Sequence, residues 1–283
     1  MPTGKLPDPI LQFKIKALSI SGRAFSFLLS PEHQIITKLI FFKNIKMRTK
    51  YLYFLAVLLI TLLSTFCFAQ EKEKLTIVTF GNSTTAPRKG IEKVYAVRIN
   101  EALIKAGISN KVINSGIGGS HTGSIRDNDK GKVEHGMDRF EKAVISHHPD
   151  WVTLNFGLND AYQDKGEGTS SRIPLEKYIS NLTYFITEIK KIDGKIILLT
   201  PNPLSSKLEQ FRHDRLKLYK NAVIKLAKSE NVELINSWKL FHRYAKNDPQ
   251  GMEGLLPDGT HPMDTGHQLI AEEIIKIIKK KTP

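Results

Sequence analysis

A chain of 283 residues, 41% apolar and 25% charged, has the composition of a folded globular protein and excludes a disordered or fibrous one. Its formal charge of +14 does not mark a nucleic-acid binder. Residues 1–50 hold nine Lys/Arg against two Asp/Glu, and the remaining 33 against 26 are spread along expected helix faces, with only Lys279-Lys280-Lys281 clustered.

Residues 1–46 carry neither clear periodicity nor a catalytic motif, so this extension has no assigned role. Met47-Arg48-Thr49-Lys50 is a short basic stretch, and residues 51–69 then run without a charge. This is the pattern of a signal peptide, whose usual place at the start of a chain makes Met47 the expected translation start. A cytoplasmic tail ahead of an anchor is the alternative. Cys67-Phe68-Ala69 places small residues at the −3 and −1 positions of a cut after Ala69, so we expect residues 47–69 to be removed and residues 70–283 to be exported, periplasmic or secreted. A lipoprotein signal fits less well, because the bulky Phe66 precedes Cys67. An uncleaved anchor stays open, since 19 uncharged residues are nearly enough to span a bilayer. Any membrane contact is expected through residues 51–69 alone. Cys67 is the single cysteine, so residues 70–283 contain no disulfide and no cysteine-based metal site.

From Leu75 the pattern alternates. Leu75–Phe80 is a short apolar run suited to a buried strand, and residues 91–106 follow with apolar positions at helical spacing. Further strands are expected over residues 111–114, 151–156, 195–200 and 232–236. Helices are expected over 133–146, 174–191, 206–229, 238–245 and 264–280. Repeated strand–helix units imply an α/β fold, a mostly parallel five-stranded sheet with helices on both faces. In such sheets, sites form where strands end.

The sequence motifs fall at those ends. Gly81-Asn82-Ser83-Thr84 follows the first strand, Gly116-Ile117-Gly118-Gly119-Ser120 the second and Gly157-Leu158-Asn159-Asp160 the third, while Asp258-Gly259-Thr260-His261-Pro262 precedes the last helix. Each could be a capped turn, or for the second a flexible glycine turn. The glycine loop has neither the dinucleotide spacing nor the Gly-Lys-Ser/Thr ending of a phosphate cradle. Together the motifs offer a nucleophile, a base and an acid. A serine hydroxyl needs an imidazole to take its proton, and the imidazole needs a carboxylate to set its tautomer, roles open to Ser83, His261 and Asp258.

The order and placement of these blocks resemble the SGNH/GDSL esterase-lipase family, over Leu75 to about Ile278. The resemblance implies a three-layer α/β/α sandwich of flavodoxin-like fold and hydrolysis of carboxylic esters of sugars, lipids or small alcohols without a cofactor. It implies Ser83 as nucleophile, His261 as general base and Asp258 as the group orienting that base. The Ser83 and Gly119 amides with the Asn159 side chain would form the oxyanion hole. Asn82 stands where the family block has Asp; it is nearly isosteric and keeps an oxygen acceptor. His267 is read as capping or packing.

The loops after the strands also hold Thr84, Thr85, Arg88, Ser120, His121, Arg126 and Asn202. Of these we expect Thr84, Ser120, His121 and Asn202 to meet a hydroxyl-rich ligand. That expectation favours short-chain, acetyl esters on carbohydrate, with a small-molecule or glycan ester as partner. A lipase or acyltransferase of the same fold, and an inactive glycan-binding domain, are the alternatives. No metal site is expected, since no His cluster has ligand spacing.

Overall fold

Strand β1, Leu75–Gly81, alternates its side chains between two cores: Val78 and Phe80 enter one, and Ile77 enters the other. The same division recurs in β3, Trp151–Asn155, where Val152 and Leu154 oppose Trp151, and in β4, Lys195–Leu199, where Ile196 and Leu198 oppose Ile197 and Leu199. A strand buried on both faces reads as a nearly continuous apolar run, which is why these segments are legible as parallel strands.

The computed structural model describes residues 74–281 continuously, together with scattered helical residues between 35 and 57. The chain divides into two units, Met1–Glu71 and Lys72–Pro283. In the first, Ile35, Leu39, Phe42, Tyr53 and Phe54 are exposed. The expected cut after Ala69 and most of residues 47–69 lie outside the described residues. Among those described, no helix is long and apolar enough to cross a membrane.

The second unit is a three-layer α/β/α sandwich. With β2 at Asn110–Gly116 and β5 at Glu233–Ile235, the sheet order is β2-β1-β3-β4-β5 and every pairing is parallel. One face is covered by α2 (Gly136–Ala143), α3 (Leu175–Lys191) and α4 (Gln210–Ser229), whose Phe140, Phe185 and Val223 join the Phe80 core. The other is covered by α1 (Tyr95–Lys105), α5 (Ser237–Ala245) and α7 (Asp264–Lys281), through Ile99, Phe241 and Ile274. The register aligns Gly81 with Gly116 and Asn155, so three strands end together. Strand order reverses at β1, and the crevice beyond the strand ends there is the place for a ligand.

Some boundaries differ from expectation for local reasons. The helix expected from residue 133 starts at Gly136, because the Asp138 carboxylate accepts the His135 amide at 3.0 Å and closes the first turn there. The helix expected from residue 206 starts at Gln210. Upstream, the Ser206 amide and hydroxyl are held by Glu253 Oε1 at 3.2 and 2.6 Å. That glutamate lies on α6, Gly251–Leu255, a helix too short to leave a periodic signal.

Candidate active site

Gly81 ends β1 where no side chain fits, since a Cβ there would lie 2.2 Å from Thr85 Oγ1 and 2.7 Å from the Asn155 carbonyl. The chain then turns tightly. The Thr85 and Ala86 amides donate to the Asn82 carbonyl at 3.0 Å, and the Asn82 amide donates to the Asn155 carbonyl at 3.3 Å. Asn82, 1% exposed, holds the turn from inside, with its Oδ1 accepting the Thr84 amide at 2.9 Å and the Thr84 hydroxyl at 2.8 Å. Among the described residues, the Ser83 amide is the one from Asn82 to Ala86 without an acceptor.

This turn presents Ser83 to the loop before α7. Ser83 Oγ lies 2.9 Å from His261 Nε2, and His261 Nδ1 lies 2.8 Å from Asp258 Oδ2. If Nε2 is to accept the hydroxyl proton, Nδ1 must carry the ring hydrogen, and Asp258 is its acceptor. Asp258 Oδ1 also accepts the amides of His261 at 2.7 Å and Thr260 at 2.9 Å, so the three-residue spacing is closed by its own turn. Burial works to raise the Asp258 carboxyl, but these amides and the imidazole outweigh it and hold the group below its ordinary value. Arg88, 3.6 Å from Asp258 Oδ2, also donates to the Pro262 carbonyl at 2.8 Å.

Facing this dyad is the loop after β3. Asn159 Nδ2 donates to the Ser120 carbonyl at 3.0 Å, while its Oδ1 accepts from Arg172 Nη1 at 3.3 Å. These partners fix the amide orientation and leave Nδ2 a second hydrogen. Gly119 has a φ of +78°, the left-handed region that favours glycine. Its amide also has no acceptor among the described residues. Asp160 binds the two loops together, accepting the Thr122 amide at 2.8 Å, the Thr122 hydroxyl at 2.5 Å and the Gly157 amide at 3.0 Å. Complete burial raises its carboxyl to about 6, against the pull of those donors.

Ser83, Asn159 and His261 line one cleft of about 320 Å³. Its other walls are Leu158, Ala161, Tyr162, Gln163, Arg172, Leu204, Leu208, Arg212, Leu216 and Thr260. Sequence reasoning missed this wall except for Leu158 and Thr260 as parts of motifs, because its residues converge only after folding.

The structure does not bring Thr84, Ser120, His121 and Asn202 to the cleft. Thr84 binds Asn82, and Ser120 is buried beneath its own carbonyl contact with Asn159. His121 is buried against His135, with ring centroids 3.5 Å apart, and Asn202 Nδ2 donates to the Thr260 carbonyl at 2.9 Å. These side chains therefore support the loops from below. Arg126 is exposed outside the cleft wall. His267 is buried, accepts the Tyr95 amide at its Nδ1 at 3.4 Å, and is pushed down to about 4 by desolvation. Among the described residues no three His, Cys, Asp or Glu side chains are placed to hold a metal ion.

Residues 79–269 match the model of the GDSL-like lipase/acylhydrolase family. The chain is 29% identical over 144 residues to a human isoamyl acetate-hydrolyzing esterase 1 homolog, covering 46% of this chain and 56% of that protein. It is 25% identical over 170 residues to an acetylxylan esterase of Geobacillus stearothermophilus, covering 59% and 72%. The match thus spans little more than half of the human relative. A lipase/acylhydrolase of Enterococcus faecalis superposes with a TM-score of 0.57 at 27% identity, over 73% of this chain and 96% of that one.

Proposed function

Because the chain belongs to the GDSL-like lipase/acylhydrolase family, we propose that it is an exported serine esterase that cleaves short-chain, acetyl esters of carbohydrate through an acyl-enzyme. The observation that carries this reading is the continuous Ser83–His261–Asp258 contact at 2.9 and 2.8 Å, opening into a cleft.

The steps follow from these atoms. His261 Nε2 takes the Ser83 proton as Oγ attacks the ester carbon, and Asp258 stabilises the resulting imidazolium through Nδ1. The negative charge moves to the carbonyl oxygen. The Ser83 and Gly119 amides and the free Asn159 Nδ2 hydrogen are the donors proposed to receive it. Collapse breaks the ester C–O bond, His261 returns its proton to the departing alkoxide, and the acyl group remains on Ser83. Water then gives a proton to His261 and attacks the acyl carbon, and collapse releases the acid and restores the serine. An alcohol in place of that water would give acyl transfer by the same steps.

A cleft near the lower end of the range for small-ligand sites suits a short acyl group. The carbohydrate assignment is supported by the likeness to an acetylxylan esterase. Export rests on the basic and uncharged stretches of residues 47–69.

The test is hydrolysis of p-nitrophenyl acetate and an acetylated xylo-oligosaccharide by the full chain beside Ser83→Ala. We expect kcat to fall by about 10⁶-fold in the variant. No turnover by the parent, or equal turnover in both, would overturn the esterase reading and favour a binding domain. Turnover of the aryl acetate without the oligosaccharide would overturn only the carbohydrate assignment.

A further inference from the structure

The cleft beside Ser83 has an uneven charge. Its lining includes two guanidinium groups, those of Arg172 and Arg212, and no Asp or Glu. Both are held against one ring, with their central carbons 4.5 and 4.3 Å from the Tyr162 centroid. The aromatic face offsets part of their mutual repulsion and fixes where they stand.

The two cations differ in how they are satisfied. Arg172 is held by the Asp164 carboxylate through Nε and Nη2, at 3.0 and 2.8 Å, and its Nη1 donates to Asn159. Arg212 donates through Nε to Glu209 at 2.8 Å, but Glu209 is itself largely exposed, and Arg212 Nη1 is buried without a partner among the described residues. A buried guanidinium N–H left unmatched is costly, and the group that repairs it best is a carboxylate, which accepts from a guanidinium in a planar, charge-assisted pair.

We propose that Arg212 is the anion-recognition residue of this cleft and that the preferred substrates are esters bearing a carboxylate close to the scissile bond, as in an acylated acidic sugar. The inference rests on the esterase reading and narrows its substrate class. Arg172, neutralised by Asp164, leaves this role to Arg212. Leu204, Leu208 and Leu216 lower the local dielectric and strengthen the ion pair that a bound carboxylate would form.

The test compares three esters with the full chain: neutral phenyl acetate, 4-acetoxybenzoate with its carboxylate on the alcohol side, and monophenyl succinate with its carboxylate on the acyl side. We expect kcat/KM for at least one carboxylated ester to exceed that for phenyl acetate by tenfold or more at low ionic strength, with the advantage shrinking as salt is added. Arg212→Gln should reduce that ratio at least tenfold, and Arg212→Lys should retain part of it. Dividing the parent's ratio by the variant's cancels the intrinsic reactivity of the esters. A parent that does not prefer either carboxylated ester, or an unchanged ratio in Arg212→Gln, would overturn the proposal while Ser83-dependent turnover left the esterase reading standing. If none of the esters is turned over, the esterase reading fails first, and calorimetric titration with 4-hydroxybenzoate and phenol decides the anion site. Binding of the benzoate alone, lost in Arg212→Gln, supports the site; no binding, or equal binding of both, overturns it.

Discussion

At the scale of single residues, Asn82 is informative because it occupies the position where the family block carries Asp. Its contribution is made through one oxygen, which accepts both the amide and the hydroxyl of Thr84, while Thr84 Oγ1 accepts in turn from Asn155 Nδ2 at 3.1 Å. A carboxylate oxygen can accept the same two donors. Asn82→Asp should therefore keep the turn and change kcat on p-nitrophenyl acetate by less than about tenfold, or about 1.4 kcal/mol of barrier. Asn82→Leu removes the acceptor and leaves the buried Thr84 donors unmatched, costing about 1–3 kcal/mol of stability. Denaturant unfolding beside kcat separates the two effects. A large gain of activity in Asn82→Asp would mean that the missing charge matters to the imidazole and that the oxygen-acceptor account is incomplete.

Among the elements, the strand ends decide where the site stands, and a buried cation holds two of them. Arg139 on α2 is 4% exposed, donates to the Ser115 carbonyl at 2.6 Å and the Gly81 carbonyl at 2.8 Å, and lies 4.3 Å over the Phe80 ring. Desolvation pulls its guanidinium down to about 10, with Glu134 acting in the opposite direction. It thus clasps the ends of β1 and β2, from which the Ser83 turn and the Gly119 loop leave. Arg139→Met should lower stability by about 2 kcal/mol through lost hydrogen bonds to buried carbonyls. It should also lower kcat by at least about tenfold, as the two loops loosen. Arg139→Lys keeps charge without the fork and should recover little of either. Unfolding curves and turnover measured together check this, and unaltered kcat in a destabilised Arg139→Met would confine Arg139 to a structural role.

Burial and proximity along the chain decide what is legible before folding. The strands were legible because both faces of β1, β3 and β4 are buried. The Asp258–His261 pair was legible because it closes within one turn, and Ser83 because it follows a strand directly. The cleft wall was not. Leu208, Arg212 and Leu216 recur every four residues, a spacing that reads as an ordinary helix face, and nothing local ties them to Tyr162 or Ser83. The polar loop residues misled for the converse reason: Thr84, Ser120, His121 and Asn202 suit a sugar by composition, yet their side chains are engaged beneath the surface, by Asn82, Arg139, the Asn128 carbonyl and the Thr260 carbonyl respectively.

For the molecule as a whole, buried imidazoles set the response to acid. Desolvation lowers His267 and His121 to about 4, and it lowers His135 as well. An unfolded chain binds protons on these groups near their ordinary value of 6.5, while the native state resists them. Their contribution to stability is therefore complete above pH 6.5 and is lost as pH falls toward 4. Asp160 acts in the opposite sense. Its carboxyl is raised from 3.8 to about 6, so the native state binds the extra proton between those values and gains stability as pH falls through about 6. The two imidazoles at about 4 outweigh the one carboxyl and leave a net loss in acid on the order of 2 kcal/mol between pH 7 and 5, with His135 acting in the same sense. For a domain of this size the loss corresponds to a fall in Tm of roughly 4–8 °C. His121 donates its amide to His135 Nδ1 at 3.3 Å directly after Ser120, whose carbonyl holds Asn159. Because His121 resists protonation until pH nears 4, the pair should keep the Ser120 loop, and the Asn159 it holds, in place while Tm is already falling. Melting curves from pH 7.5 to 4.5 test the loss of stability. His267→Asn, offering a non-titrating acceptor to the Tyr95 amide, should flatten the Tm profile without moving the kcat profile. A Tm that stayed level or rose on acidification would mean that Asp160 dominates.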